Sequence, residues 1–290
     1  FRTPQRPARP PQKGAFTVGN TYQLIALDVD GTLLTPDKTI HPDTMRDIQL
    51  AAQRGVQVAY CTGRAVPELL DYFNVVPEMR YAVCNSGACV YDRAEGRCIY
   101  RSVIPRGLVE AALAAAAKYR AMLHFLTESE SIVAAEDITR MADFHMGIYQ
   151  PMFQRVARPV ADMAREAETL GAIAKINLYF RSPEDRMRCR GELKDLPLDI
   201  TMPEVTTLEM TAQHVSKASG LTWLAGTLGI PMTRVAGVGD SDNDREMLQS
   251  VGLSFAMGNA DPNIRSLCDL VTADNAHNGA GEAIRRALAL

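Results

Sequence analysis

Two carboxylates stand two residues apart in Asp28-Val29-Asp30-Gly31-Thr32-Leu33. At a chain turn such a pair can divide the labour of a displacement: one attacks an electrophile such as phosphorus, the other moves protons to and from oxygen. A second polar cluster, Thr62-Gly63-Arg64, sets a hydroxyl beside a glycine whose amide is open to an oxyanion. A third, Asp240-Ser241-Asp242-Asn243-Asp244, is dense in acids, and Lys217 is a candidate counter-cation. Clustered carboxylates repel, and each resists ionisation unless a cation compensates it. Mg2+ suits that task because it takes oxygen ligands and keeps several waters. Carboxylates, Mg2+, a lysine and the amides of Gly31, Thr32 and Gly63 together fit phosphoryl transfer. There a protein chiefly positions groups and neutralises charge on the equatorial oxygens. On this reading Asp28 attacks phosphorus to form an aspartyl-phosphate. Asp30 protonates the leaving alcohol and later activates water, and the Thr62 hydroxyl donates to a phosphoryl oxygen.

The elements around these clusters would bring them together. Residues 22–27 form a nearly continuous apolar run, read as a strand buried on both faces, and it ends at Asp28. Residues 42–54 read as a helix with Pro42 in its first turn and Gly55 just past its end. Strands at 56–61 and 81–84 bracket a helical stretch at 67–73, and 235–238 is a further buried strand leading into Gly239-Asp240. This order predicts an α/β fold, a doubly wound parallel-sheet core with Rossmann-like winding. Ligands of such sheets bind at the carboxyl ends of the strands, where all three polar clusters fall.

From Cys89 the pattern changes to a hairpin around 93–97, an Ala-rich helix at 108–119, and strand-like runs at 122–126, 131–135, 174–180 and 198–201. Residues 139–172 read as helical, broken near Pro151 and Pro159. The expected organisation is a leader at 1–20, a core at 21–101 and 206–290, and an inserted α+β cap domain at 102–205. Within the cap, Arg140, His145 and Tyr149 fall near one helical face, and His124 or His145 could touch substrate.

Composition removes several function classes. The net charge is −3, and because the leader carries Arg2, Arg6, Arg9 and Lys13 without acids, the rest carries −7. That balance speaks against nucleic acid as a partner. No apolar run is long enough to span a membrane. The leader, rich in Pro, Arg and Gln, reads as flexible. The six cysteines form no Cys-x-x-Cys pair and no zinc-ligand spacing, and are read as reduced thiols of a cytoplasmic protein. Gly237-Val238-Gly239 lacks the third glycine of a dinucleotide loop, since Asp242 stands there.

Taken in order, Asp28-Val29-Asp30-Gly31-Thr32-Leu33-Leu34, Cys61-Thr62-Gly63-Arg64, Lys217 and Gly239-Asp240-Ser241-Asp242-Asn243-Asp244 resemble the four motifs of the haloacid dehalogenase-like superfamily. More narrowly, the chain resembles its Cof-type sugar-phosphatase-like branch with a C2-type cap. Thr207-Leu208-Glu209-Met210 and Ala256-Met257-Gly258-Asn259-Ala260 extend the likeness. The resemblance implies a Mg2+-dependent phosphatase acting on a small phosphorylated metabolite, such as a sugar phosphate, polyol phosphate or flavin-related phosphate. It implies Asp28 as nucleophile and metal ligand, Asp30 as general acid/base that also reaches the metal, and Thr62 and Lys217 on the phosphoryl group. It implies Asp240 and Asp244 as metal ligand and metal support, and Asn243 beside the phosphate or Lys217. Gly31, Gly63 and Arg64 join the phosphate- and substrate-binding set. Where the branch has Asn-Gly-Ala after strand three, this chain has Asn85-Ser86-Gly87-Ala88, so the substrate contact falls to Asn85 or Ser86. The alternatives are a phosphomutase using the same aspartyl-phosphate, or a sensor that binds a phosphorylated ligand without turnover.

Overall fold

A computed structural model describes residues 21–289; the leader at 1–20 lies outside the described residues. Leu24, Ile25, Ala26 and Leu27 are completely buried, so their strand needs a neighbour on each edge and a layer on each face. Both are present. The sheet runs β14 (Leu270–Val271), β13 (Leu253–Ala256), β12 (Val235–Gly239), β1 (Leu24–Leu27), β2 (Gln57–Cys61), β3 (Tyr81–Cys84), β4 (Cys89–Asp92), β5 (Arg97–Arg101). The first six are mutually parallel; β4 and β5 close one edge antiparallel. Helices Pro42–Gln53 and Gly279–Ala289 pack on each other, as do Lys217–Thr227 and Arg245–Ser250, and their apolar sides complete one core with the sheet. The expected α/β core is therefore present.

The inserted segment builds a second sheet, ordered β10 (Leu198–Thr201), β11 (Thr207–Ala212), β9 (Lys175–Tyr179), β6 (Met122–Leu126), β7 (Ser131–Ala134), β8 (Ala157–Val160). Its strands alternate strictly. Leu123, Phe125, Ile176, Leu178, Leu208 and Met210 turn to one face and form an apolar core with helices Arg106–Tyr119 and Pro183–Leu193. Their neighbours His124, Lys175, Asn177, Tyr179, Thr207 and Glu209 turn to the other face and are buried too. A buried polar face needs partners, and here it roofs a cavity over the first sheet.

Three expectations need correction. Thr207–Ala212, assigned to the core by the 206–290 boundary, pairs with β9 and β10 and belongs to the second sheet. The Thr-Leu-Glu-Met alternation is that of a strand with one apolar and one polar face, which a parallel core strand would not show. Residues 139–172 are helical for most of their length, in short pieces, but the break near Pro159 is a strand: Ala157–Val160 adds an edge beside β7, where Pro159 is tolerated because an edge strand need not donate on its open side. Arg140, His145 and Tyr149 consequently share no helix face: Arg140 pairs with exposed Asp143, while the His145 ring sits 3.2 Å from the Arg181 carbonyl.

The cysteines are the third correction. Cys89 and Cys98 form a disulfide that staples β4 to β5, while Cys61, Cys84 and Cys189 are buried thiols. Hairpin pairing brings the two side chains together, a geometry invisible to a search for metal-ligand spacing. Cys89→Ser is expected to lower stability by about 2–3 kcal/mol for so short a loop. Denaturant unfolding with and without reductant checks this; a reductant-insensitive wild type would contradict it. No helix among the described residues is long and apolar enough to cross a membrane.

Candidate active site

The carboxyl ends of β1, β2 and β12 converge as parallel winding requires. Asp28, Asp30, Gly31, Thr62, Gly63, Arg64, Asp240 and Asn243 line a single cavity of about 300 Å³ between the two sheets. Lys217 and Asp244 lie just behind it, 1% and 0% exposed.

Lys217 is the hub. Its ammonium donates to Asp28 Oδ1 at 2.6 Å, Asp244 Oδ1 at 2.7 Å and Asn243 Oδ1 at 3.2 Å. Lys217 opens a helix, and that helix is seated by an unusual turn. Asn85, Ser86 and Gly87 all have positive φ, at 50°, 54° and 97°. A Cβ on Gly87 would run into the Ser216 carbonyl, so the turn presses directly on the residue before Lys217. The two non-glycine residues hold this strained backbone because Asn85 N donates to Arg64 O (2.9 Å) and Ser86 N to Thr62 O (3.0 Å). Their side chains leave the core: Asn85 Nδ2 donates to Thr127 O at 2.8 Å and Ser86 Oγ to Glu209 Oε2 at 3.1 Å. Neither residue lines the cavity. Both fasten the second sheet to the first, which is where the structure puts the residues expected to touch substrate.

Asp244 anchors its own loop, since its Oδ2 accepts the amides of Asp240 (3.1 Å) and Ser241 (3.2 Å). Asp240 Oδ1 accepts the Thr32 hydroxyl at 2.9 Å. Gly31 has φ +81°, and a Cβ there would collide with the Asp240 carboxylate, so glycine is required on both counts. Asn259 Nδ2 braces this turn by donating to Gly31 O at 2.8 Å.

The electrostatics are unbalanced. One ligand oxygen from each of Asp28, Asp240 and Asp244 lies within 4.8 Å of the others, against a single ammonium. Burial, then the Asp244 charge, raises Asp28 well above the usual carboxylate range, and the same causes push Asp240 up to about 7. Burial works against the charge on Lys217, but Asp244 and Asp28 outweigh it and raise the lysine. A hard divalent cation would supply the missing charge, and the all-oxygen donor set fits one. Asp28 and Asp240 face the cavity to take it, with Asp244 behind them.

Asp30 is differently placed. Arg64 grips it with Nε on Oδ2 (2.7 Å) and Nη2 on Oδ1 (2.8 Å), and Lys38 donates to Oδ1 at 2.8 Å. Burial alone would raise this carboxyl, but Arg64 and Lys38 outweigh burial and hold it well below the usual range. Lys38 also donates to the Tyr149 hydroxyl (3.3 Å), and Arg64 touches Met152 Sδ (3.4 Å), so both cations contact the second domain.

The roof was poorly legible from sequence. Lys175 and Glu209 pair at 2.6 Å, and Lys175 Nζ donates to Gly63 O at 2.9 Å. His124, Asn177, Tyr179 and Glu204 complete the roof with Glu68 rising from the core. Burial, with Lys175 adding to it, pushes the His124 pKa down to about 3. The unfolded chain protonates a histidine near about 6.5. Stability therefore falls as pH drops from that value toward about 3, by up to about 1.4 kcal/mol per pH unit from this group. His124→Asn should flatten that acid limb in denaturation midpoints measured against pH; an unchanged slope would contradict the buried neutral ring.

The sequence profile of the haloacid dehalogenase-like hydrolases matches residues 25–284. The chain belongs to that family. Within it, the relatives are of Cof type. It is 27% identical over 256 residues to the HMP-PP phosphatase of Serratia proteamaculans, covering 85% of this chain and 87% of that one. It is 26% identical over 291 residues to phosphatase YwpJ of Bacillus subtilis, covering 92% and 100%. Among solved structures, a haloacid dehalogenase-like hydrolase from B. subtilis superposes with a TM-score of 0.80 at 23% identity, covering 91% of this chain and 99% of that one. A subclass IIB sugar phosphatase superposes at 0.78 with 21% identity, covering 91% and 98%. At those identities the structures establish the shared fold, cap included; the profile and the curated relatives establish a phosphatase-type hydrolase.

Proposed function

We propose that this haloacid dehalogenase-like hydrolase is a Mg2+-dependent phosphatase that cleaves a small phosphomonoester through an aspartyl-phosphate on Asp28. The observation that carries the reading is the Lys217–Asp28 contact at 2.6 Å inside a buried, cation-deficient carboxylate cluster. Binding alone needs no nucleophile, and a structural ion pair would be better balanced.

Asp28 and Asp240 would hold Mg2+, which would neutralise phosphoryl oxygens as charge moves onto the leaving group. Lys217 fixes Asp28 Oδ1 and Asn243 Oδ1, which leaves the Asn243 amide nitrogen for a phosphoryl oxygen. Thr62 Oγ1 accepts the Arg64 amide at 3.1 Å, and its own proton is free to be donated to phosphate. Asp28 attacks phosphorus, and the P–O bond to the leaving alcohol breaks. Water then attacks the aspartyl-phosphate, releasing phosphate and restoring Asp28. Asp30, ionised at rest, takes up a proton from solvent as substrate binding loosens its grip by Arg64 and Lys38, and gives that proton to the leaving oxygen. It then accepts a proton from the attacking water and returns it to solvent as phosphate leaves and the grip re-forms.

Hydrolysis is favoured over a phosphomutase because Arg64 and Lys38, the cations among the described lining residues, both stand at Asp30 beside the phosphoryl site, while the roof opposite carries Glu204 and Glu209. A second phosphate would find no clamp. Phosphate release from p-nitrophenyl phosphate should require added Mg2+, cease with chelator, and return on metal addition. Turnover that is indifferent to chelator would overturn the metal assignment.

A further inference from the structure

The loop that carries Thr62 has each of its three carbonyls held by a different neighbour. Thr62 O accepts the Ser86 amide at 3.0 Å and Arg64 O accepts the Asn85 amide at 2.9 Å, both from the core turn behind the loop. The middle carbonyl is held from the other domain: Lys175 Nζ, on β9 of the second sheet, donates to Gly63 O at 2.9 Å. Lys175 is completely buried and does not line the cavity. Glu209 Oε1, 2.6 Å away, meets its charge. The lysine therefore touches the backbone of the loop and not the space open to substrate. The approach is close. A Cβ on Gly63 would lie 2.9 Å from Lys175 Nζ and 3.2 Å from Glu209 Oε1. The glycine between Thr62 and Arg64 is the gap through which the ion pair reaches the loop.

Peptide planarity gives this contact a consequence at Thr62. In a trans peptide unit the C=O and N–H point in opposite directions, and no peptide bond among the described residues is cis. Drawing Gly63 O toward Lys175 therefore aims the Arg64 N–H the other way, at Thr62 Oγ1, 3.1 Å off. A hydroxyl that accepts there keeps its one proton to donate, and Thr62 lines the cavity with Asp28. The bonds run in one sense, ammonium to carbonyl and then amide to hydroxyl, so each polarises the next. Without Lys175 a buried carbonyl is left unpaired, which is unfavourable. The peptide would turn to find another donor, and the Arg64 amide would leave Thr62.

We propose that Lys175 is a positioning residue for phosphoryl transfer: it fixes the Gly63–Arg64 peptide so that the Thr62 proton points at the phosphoryl oxygen. The phosphate site is then completed by a residue of the second domain, whichever alcohol leaves. This inference rests on the phosphatase reading above and adds a residue to it.

A double-mutant cycle with p-nitrophenyl phosphate and saturating Mg2+ tests it. Thr62→Val removes the hydroxyl and should lower kcat by about 10²-fold, the scale of one donor lost from a charged transition state. Lys175→Met in otherwise wild-type protein should lower kcat by about tenfold or more, with KM within about twofold because the lysine touches no substrate. In Thr62→Val protein the same substitution should change kcat by no more than about twofold, since no hydroxyl is left to aim. A merely structural role, through folding or domain docking, would cost the same factor in both backgrounds. If Lys175→Met does not fold because Glu209 is left buried without its partner, the cycle is run in Glu209→Gln protein, where no charge is stranded. Equal losses in the two backgrounds, or a Lys175→Met kcat within about twofold of its reference, would overturn the assignment. So would a Thr62→Val enzyme as fast as wild type. A wild type that cleaves no p-nitrophenyl phosphate would instead remove the phosphatase reading, and this inference with it.

Discussion

Asp28→Asn abolishes phosphate release, by on the order of 10⁴-fold or more, and leaves the protein folded. An amide has the shape of the carboxylate without its nucleophilic charge, so no aspartyl-phosphate forms. The stability effect has the opposite sign to that of a broken ion pair. Burial and Asp244 raise the Asp28 carboxyl above its unfolded value. Such a group contributes stability only below its unfolded pKa, and loses it as pH rises through the folded one. At neutral pH without metal the Asp28 carboxyl therefore contributes little to stability, and the asparagine variant should melt at or above the wild-type temperature in chelator. With Mg2+ the order should reverse, because the wild type gains a metal-linked increment that the variant lacks. Paired activity assays and thermal melts check both halves. Retained turnover, or a variant that simply unfolds, would contradict the account.

Lys217→Met should cost the most stability of any single change at the site. It removes the ammonium that contacts Asp28, Asp244 and Asn243 and leaves buried carboxylates uncompensated. Breaking a buried pair by removing one partner typically costs about 3–5 kcal/mol. Methionine keeps most of the volume, so packing contributes little to that loss. Urea denaturation in chelator should show the full deficit, and Mg2+ should recover part of it by replacing the missing positive charge. Turnover should fall as well, since Asp28 and Asn243 lose the group that aligns them. A variant as stable as wild type in chelator would mean that the cluster is not charge-starved.

These residues were legible in the sequence because each belongs to a short, ordered motif that ends a buried strand. Asp28, Thr62 and Asp240 needed only the winding of a parallel sheet to meet. The roof was hidden for the opposite reason. His124, Lys175, Asn177 and Glu209 are single polar residues on strands that pair antiparallel across long loops, and they meet only once β11 joins β9. The signal was present as alternation in Lys175-Ile176-Asn177-Leu178-Tyr179 and Thr207-Leu208-Glu209-Met210, whose polar positions are as buried as the apolar ones. Sequence alone does not say that such a polar face is covered. Asn85 and Ser86 failed for another reason: a side chain near a site is read as a ligand, yet positive φ turned both toward the second sheet. The Asp30–Arg64–Lys38 cluster was also unforeseen, because nothing in the spacing brings Lys38 back over the turn.

The central claim is covalent, and its most direct test is to trap the intermediate. The protein is mixed with Mg2+ and p-nitrophenyl phosphate, quenched in acid within one turnover, reduced with borohydride and mapped by peptide mass spectrometry. An acyl phosphate is reduced to the alcohol, so the account predicts homoserine at position 28 and nowhere else. Rapid turnover with unmodified Asp28, or with the label on Asp30, Asp240 or Asp244, would contradict it.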